Sequence, residues 1–109
     1  MAEISFDEFQ KVEMKVGKII EATEVPNSKK LLKLIVDFGD EKRQSVAGIR
    51  PNYTPDQLIG RKYVFVVNLQ KKVMMGIESQ CMILAAEDAE GNVVLVAPER
   101  EIREGSRVR

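Results

Sequence analysis

The chain has 109 residues, 44% of them hydrophobic and 31% charged, with 17 basic and 17 acidic side chains in balance. That length suits one domain with a single core and a radius of gyration of about 13 Å, and no apolar run approaches the roughly 20 residues that span a bilayer. Zero net charge excludes a generic polyanion binder, so any nucleic-acid contact must come from where charge is placed; the lack of histidine and the single cysteine, Cys81, remove the commonest general base, the commonest metal ligand and any intrachain disulfide.

In chain order, Ser5-Phe6-Asp7-Glu8 has the form of a capping box, with Phe6, Phe9 and Val12 giving a short N-terminal helix an apolar face. Residues 14–25 are rich in β-branched side chains and partly alternate, which predicts a long first strand stopped by the turn residues Pro26-Asn27-Ser28. Residues 31–38 read as strand two, turning through Gly39-Asp40-Glu41-Lys42 into strand three at 43–47. Thr54 and Pro55 start, and Gly60 ends, a helix of one or two turns. Strand four follows at 62–69, strand five at 80–87, and a sixth at 92–97 after the turn Glu90-Gly91. No repeat or linker interrupts the pattern, so residues 1–109 are expected to form one domain.

Five principal strands with a short helix between the third and fourth give the layout of an all-β, five-stranded OB-fold barrel, here with an N-terminal helix and a C-terminal strand extension. A generic small barrel or an SH3-like barrel shares the strand count; the inserted helix favours the OB layout. Tyr63-Val64-Phe65-Val66-Val67 and Val93-Val94-Leu95-Val96-Ala97 are apolar at consecutive positions. Both faces of these strands are therefore expected to be covered, one by the barrel interior and the other by the N-terminal helix or a second subunit.

OB-folds bind ligands on the face of strands two and three, between the loop joining strands one and two and the loop joining strands four and five. Lys29 and Lys30 fall in the first loop and Lys71 and Lys72 in the second, so four cations are expected on one rim, extended by Lys33 and Arg43 where their strand faces point outward. Lysine is a mobile point charge suited to phosphate oxygens, which position a nucleic acid without reading its bases. A lysine pair in a turn is more often simply solvated; what distinguishes these is their place in the two loops beside the ligand face. Charge also separates along the chain. Between residues 61 and 83, Arg61, Lys62, Lys71 and Lys72 are set against Glu78 alone, whereas between 84 and 104 six acids outnumber Arg100 and Arg103. The basic and acidic halves are expected to face different ways, with Glu87-Asp88 and residues 99–104 as solvated surface.

At least one of Met74 and Met75 is expected to project from its loop, where a flexible thioether can pack on a sugar, a base or a peptide; core filling is the better reading for Met82. Ser79 and Gln80 either hydrogen-bond a ligand or satisfy backbone groups as the loop re-enters the sheet. Tyr53 is the best exposed aromatic, or else a cap on the barrel end. Few stacking platforms beside clustered lysines suit a folded RNA recognised by shape and backbone. Cys81 reads as a small buried or half-buried residue. No activated nucleophile, paired carboxylates or phosphate-cradling glycine loop stands out, so no catalytic residue, metal or cofactor is expected. Met1-Ala2-Glu3-Ile4-Ser5 lacks the features of a secretory signal, which places the chain in the cytoplasm.

Taken together, Met14-Lys15-Val16-Gly17-Lys18-Ile19, Pro26-Asn27-Ser28-Lys29-Lys30-Leu31, Val46-Ala47-Gly48-Ile49, Tyr53-Thr54-Pro55, and Asn68-Leu69 with Gly76-Ile77-Glu78-Ser79-Gln80 and Met82 resemble the tRNA-binding domain found free-standing and appended to methionyl-tRNA synthetases. The resemblance covers nearly the whole chain. It implies an OB barrel whose terminal extensions build a two-fold dimer, with tRNA gripped by its overall shape. The implied role is a non-catalytic cofactor or subunit of methionyl-tRNA synthetase or another aminoacyl-tRNA synthetase. It carries the first-loop lysine onto Lys30, the basic turn onto Lys72 and the binding-face positions onto Asn68, Ser79 and Met82. With their neighbours, the expected tRNA-binding set is Lys29, Lys30, Asn68, Lys71, Lys72, Met74, Ser79, Gln80 and Met82. Gln70-Lys71-Lys72-Val73 departs from the family pattern by lacking a proline and one cation, and Cys81 stands where the family has glycine; both departures point to weaker RNA affinity. Two rival roles follow from the same residues: a peptide-binding chaperone of the secretion-associated type, motivated by Val73, Met74 and Met75, and a synthetase-docking domain without RNA binding.

Overall fold

In the computed structural model, which describes residues 2–109, the elements in chain order are α1 (Phe6–Gln10), β1 (Met14–Glu24), β2 (Leu32–Asp37), β3 (Lys42–Ala47), α2 (Pro55–Leu58), β4 (Lys62–Val66), β5 (Lys72–Met74), β6 (Ile77–Ser79), β7 (Met82–Ile83), β8 (Ala85–Glu87), β9 (Val93–Leu95) and β10 (Arg107–Val108). Burial alternates strictly along β2, with Leu32, Leu34 and Val36 inward and Lys33, Ile35 and Asp37 outward, as the two-residue strand period requires. β2 is antiparallel to both β1 and β3. The 11-residue β1 pairs through its first half with β4 and through its second half with β2, and a register shift between Ile19 and Glu21 lets it turn the corner between them. The main sheet therefore runs β3-β2-β1-β4-β7, with β10 added to the start of β1.

The sheet curls until its ends nearly meet, and polar groups close the seam. The Gln80 N–H donates to the Gln44 carbonyl at 2.8 Å, the Gln44 N–H donates to Gln80 Oε1 at 2.9 Å, and the Ser45 hydroxyl donates to the Cys81 carbonyl at 2.9 Å. Inside lie Ile19, Leu32, Leu34, Val36 and Phe65, with Leu58 of α2 closing the core. Phe38 meets Phe65 edge-on, with ring centroids 5.6 Å apart, an arrangement that aromatic quadrupoles favour. Gly17 is required where β1 crosses this cluster: a Cβ there would stand 2.4 Å from Val36 Cγ1 and under 3 Å from both Phe38 and Phe65. The result is a mostly β, nearly closed barrel of the OB type, with a radius of gyration of 14.1 Å. Among the described residues no helix is long and apolar enough to cross a membrane.

Strands one to four lie where the sequence predicts, within one to three residues at their ends. Two expectations need correction. The loop expected between strands four and five contains a hairpin, β5–β6, whose two-residue turn places both Met75 (φ 52°) and Gly76 (φ 78°) in the left-handed region; such turns match the twist of their strands but usually carry Asn-Gly, which is why Met-Gly gives no signal. The expected fifth strand is divided into β7 and β8 at Leu84, where the chain passes from pairing with β4 to pairing with β9: the Leu84 N–H donates to Val64 O in the first register and its carbonyl accepts from the Val96 N–H in the second, each at 3.0 Å.

The two apolar runs also differ. Residues 63–67 are buried on both faces within this chain, whereas Val94 and Val96 in the second run are exposed. Nor does α1 cover either strand. Ser5 Oγ accepts from the Glu8 N–H at 3.1 Å, as half of the predicted capping box, but no residue of the helix is buried and Phe6, Phe9 and Val12 face outward.

Candidate nucleic-acid interface

The outer face of β3 carries an open groove of about 200 Å³, floored by Val46 and Cys81 and walled by the β5–β6 hairpin on one side and by Leu69, Gln70 and Met82 on the other. The cross-strand register explains its composition. Lys72 lies opposite Ser79, Ser79 Oγ accepts from the Val46 N–H at 3.0 Å, and Val46 lies opposite Lys33 of β2. One transverse row thus runs Lys72, Ser79, Val46, Lys33, with a cation at each end and buried Ser79 and Val46 between them. Of the expected set, the groove brings together Lys72, Met74, Ser79, Gln80 and Met82.

The remaining expected residues are placed elsewhere. Lys71 lines a neighbouring hollow with Lys42 and Arg43. Lys29 and Lys30 are exposed in the β1–β2 loop, where the Ser28 hydroxyl accepts from the Lys30 and Leu31 N–H groups and the Arg50 N–H bonds the Lys30 carbonyl. From the strand rise, Lys30 stands about 10 Å along the sheet from Lys33, so the two lysine pairs bracket the outer face and are not packed together. Lys33, half-buried on that face, continues the line between them.

Several polar residues expected at the ligand face are already engaged by the protein. The Ser79 hydroxyl donates to Cys81 O at 3.1 Å besides accepting from Val46 N, and it is buried. The Gln80 amide accepts from Gln44 N and donates to Glu78 Oε1 at 3.2 Å. Ser79 and Gln80 are thus the side chains that fasten the hairpin to β3. Asn68 is held as firmly: its Oδ1 accepts from Glu13 N at 2.8 Å and its Nδ2 donates to Lys11 O at 2.6 Å, tying the segment before β1 to the end of strand four.

Arg43 does not extend the patch. It pairs with Glu41 and donates to Val67 O and Gln80 O, so its charge is spent on holding the loop. Tyr53 packs on the core and its hydroxyl accepts from Leu95 N at 3.1 Å, which makes it the cap on the barrel end and no stacking platform. Met75 projects from the hairpin tip, and Met82, expected in the core, is 46% exposed instead. Cys81 is buried, and desolvation pushes its thiol up to about 11, so it stays protonated and unreactive at neutral pH.

The acidic half is not purely solvated. Lys62 in β4 pairs with Glu101 and Glu104 and donates to the Ile102 carbonyl at 2.7 Å, strapping the C-terminal segment across the barrel. The hydrogen bonds with Glu101, then Glu104, raise the Lys62 pKa, and Lys62 in turn lowers that of Glu104. The groove residues missed by sequence reasoning are Val46, Leu69, Gln70 and Cys81. Their only signal is proximity to the lysine turn, because a groove made by folding a hairpin over a strand has no sequence period of its own.

Comparison with known proteins agrees with this architecture. The family model described as "Putative tRNA binding domain" matches residues 14–107. A methionine–tRNA ligase of Methanococcus aeolicus is 57% identical over 105 residues, an alignment that covers 96% of this chain and 15% of the ligase. Among solved structures, a "MetRS related protein" of Pyrococcus horikoshii superposes with a TM-score of 0.96 at 45% identity, covering all of both chains. The chaperone CsaA of Bacillus anthracis superposes with a TM-score of 0.90 at 32% identity, covering 99% of this chain and 100% of that one. The chain belongs to the tRNA-binding domain family and is homologous to the corresponding domain of methionyl-tRNA synthetases.

Proposed function

We propose that this chain is a non-catalytic module that grips folded tRNA by its shape and backbone and works as a cofactor or subunit of methionyl-tRNA synthetase or another aminoacyl-tRNA synthetase. The observation that carries the reading is the open groove on β3, with Lys72 and Lys33 at the ends of one row and the thioethers of half-buried Met74 and exposed Met82 along its wall. Lysines hold phosphate oxygens, and Met74 and Met82 supply soft apolar contact for sugars or bases in place of the aromatic platforms this chain lacks. Lys29 and Lys30 meet the backbone further along, which favours a ligand with a fixed surface over a flexible single strand. A two-fold dimer is part of the proposal. Exposed Phe6 and Phe9 on α1 and Val12 just after it, with Val94 and Val96, leave apolar surface of the kind a second copy would cover.

The test is binding of total tRNA and of unstructured RNA of equal length across a salt series, with the Lys30→Glu, Lys72→Glu variant in parallel. Preference for tRNA, a salt-dependent affinity and loss of binding in the variant are expected. Unchanged affinity in a folded variant refutes the site.

A second reading has an observation in its favour: the groove is largely apolar, and CsaA chaperones of Bacillus anthracis and Picrophilus torridus are 32% and 31% identical to this chain. Suppression of aggregation of a model unfolded protein at stoichiometric amounts, without tRNA preference, would favour that role.

A further inference from the structure

The turn between β4 and β5 divides its two lysines between two depressions. Lys72 lines the groove on β3, whereas Lys71, the residue before it, lines the adjoining hollow of about 440 Å³, as side chains alternate along an extended chain. The two depressions share a ridge, since Leu69 and Gln80 line both. Their chemistry differs. On the groove side of the ridge stand the apolar side chains of Val46, Met74 and Met82; on the hollow side stand Lys42, Arg43 and Lys71, with Glu41 as the one acid.

The charges of the hollow are not equally free. Glu41 and Arg43 pair with each other, and the Arg43 guanidinium also donates to the Val67 and Gln80 carbonyls, so this pair builds the wall and adds no net charge. Asp37, directly opposite Lys42 in the β2–β3 pairing, is engaged by its own turn, where its Oδ1 accepts from the Gly39 N–H at 2.8 Å. Among the described residues, no carboxylate lies within ion-pair distance of Lys42 or Lys71, and both are exposed. Two ammonium groups, one from the start of β3 and one from the turn before β5, thus line one polar hollow that an anion would neutralise. Neither α1, β10, Val94 nor Val96 contributes to its lining. The surfaces assigned to a second copy therefore leave it open.

We propose that the groove and the hollow together hold one unstacked nucleotide of the RNA, its base and sugar packed in the groove against Met74 and Met82 and its phosphate held in the hollow by Lys42 and Lys71. The inference rests on the tRNA-binding reading above and narrows it. The part of the tRNA on this face is a loop or an end with a splayed base, because a base in a paired helix keeps its faces inside the stack. Lys42, which lies outside the stretches that carry the family resemblance, becomes a phosphate ligand. Arg43 is the positioning residue that fixes the wall between β3 and the β4–β5 turn.

The experiment has two arms. In a salt series of tRNA affinity, Lys42→Gln removes one phosphate contact, so the decline in affinity between 50 and 200 mM salt should become about threefold shallower. Lys42→Arg should keep the parent slope, and so should Arg61→Gln, an equal loss of charge at an exposed residue on a separate hollow. Because Lys42 is exposed, its variants should keep the parent's melting temperature. In the second arm, adenosine monophosphate is titrated into the full chain and followed by NMR. The methyl signals of Met74 and Met82 and the amide signals of Lys42 and Lys71 should move along one binding curve, whereas inorganic phosphate should move the amides alone. If Lys42→Gln keeps the parent slope, or Arg61→Gln loses as much, the phosphate site is refuted while the tRNA-binding reading stands. Methyl signals that stay fixed, or that follow a separate curve from the amides, refute the shared nucleotide site. If the parent chain shows no salt-dependent tRNA binding, the tRNA reading fails and this site with it.

Discussion

Ser79 stands at a position to which the family resemblance assigns RNA contact, yet its hydroxyl is buried between Val46 N, 3.0 Å away, and Cys81 O, 3.1 Å away. Ser79→Ala removes the acceptor for the Val46 N–H, which then sits buried without a partner. The Cys81 carbonyl keeps its bond from the Ser45 hydroxyl at 2.9 Å. The cost is therefore that of one orphaned buried donor, about 1–3 kcal/mol. Ser45→Ala provides the comparison. It also deletes a hydroxyl donating to Cys81 O, but Ser79 still serves that carbonyl and no backbone group is orphaned, so the expected loss is the smaller net worth of a hydrogen bond, about 0.5–1.5 kcal/mol. Urea unfolding measures both: with a slope of about 1–3 kcal/mol per molar for a domain of this size, Ser79→Ala should move the midpoint by roughly 1 M, and Ser45→Ala by less, with unchanged slopes. RNA affinity should fall in Ser79→Ala only insofar as the hairpin detaches from β3. Equal stabilities for Ser79→Ala and the parent, combined with a tenfold loss of tRNA affinity, would refute the fastening role and make Ser79 a direct ligand contact.

Gly17→Ala, whose Cβ would fall within 3 Å of Val36, Phe38 and Phe65, should cost about 1–3 kcal/mol by overpacking, whereas Gly48→Ala, with nothing within 4 Å of its Cβ, should be neutral or gain about 0.4–1 kcal/mol; similar unfolding midpoints for the two would contradict the packing argument. Burial raises the Cys81 thiol from 9.0 to about 11, so the unfolded chain releases this proton first and stability should decline as pH rises from about 9 towards 11, by roughly 2–3 kcal/mol in total. Cys81→Ala should lack that alkaline component in pH-dependent denaturant titrations. Glu104 is depressed by its Lys62 hydrogen bond, so its contribution is present above the ordinary glutamate range and is lost as pH falls through the lowered value. Hydrogen exchange at the Gly105 amide, which donates to Val16 O at 2.7 Å, should then lose protection in acid once intrinsic rates are corrected, and Lys62→Met should weaken the pH dependence, leaving the part due to the Glu104 backbone hydrogen bond.

The strand order to β4, the inserted helix, the single core and the two lysine turns are legible in the sequence because they rest on local rules: alternation at period two, turn residues with special φ/ψ preferences, and apolar runs between them. Family membership is legible for the same reason, since the motifs are continuous stretches such as Ser79-Gln80 and Pro26-Asn27-Ser28. What each motif residue does is decided only by the tertiary structure. Ser79, Gln80 and Asn68 could each serve a ligand or the backbone by their chemistry alone; partners 33, 36 and 55 residues away in the chain determine that they serve the backbone. Met82 faces outward because Cys81 and Ile83 on either side of it take the core positions of the alternating strand, and Lys15 faces Arg107 because a short C-terminal strand returns to the start of β1. Local sequence specifies which elements form, whereas long-range register specifies which side chains meet, and it is the meeting of side chains that makes the site.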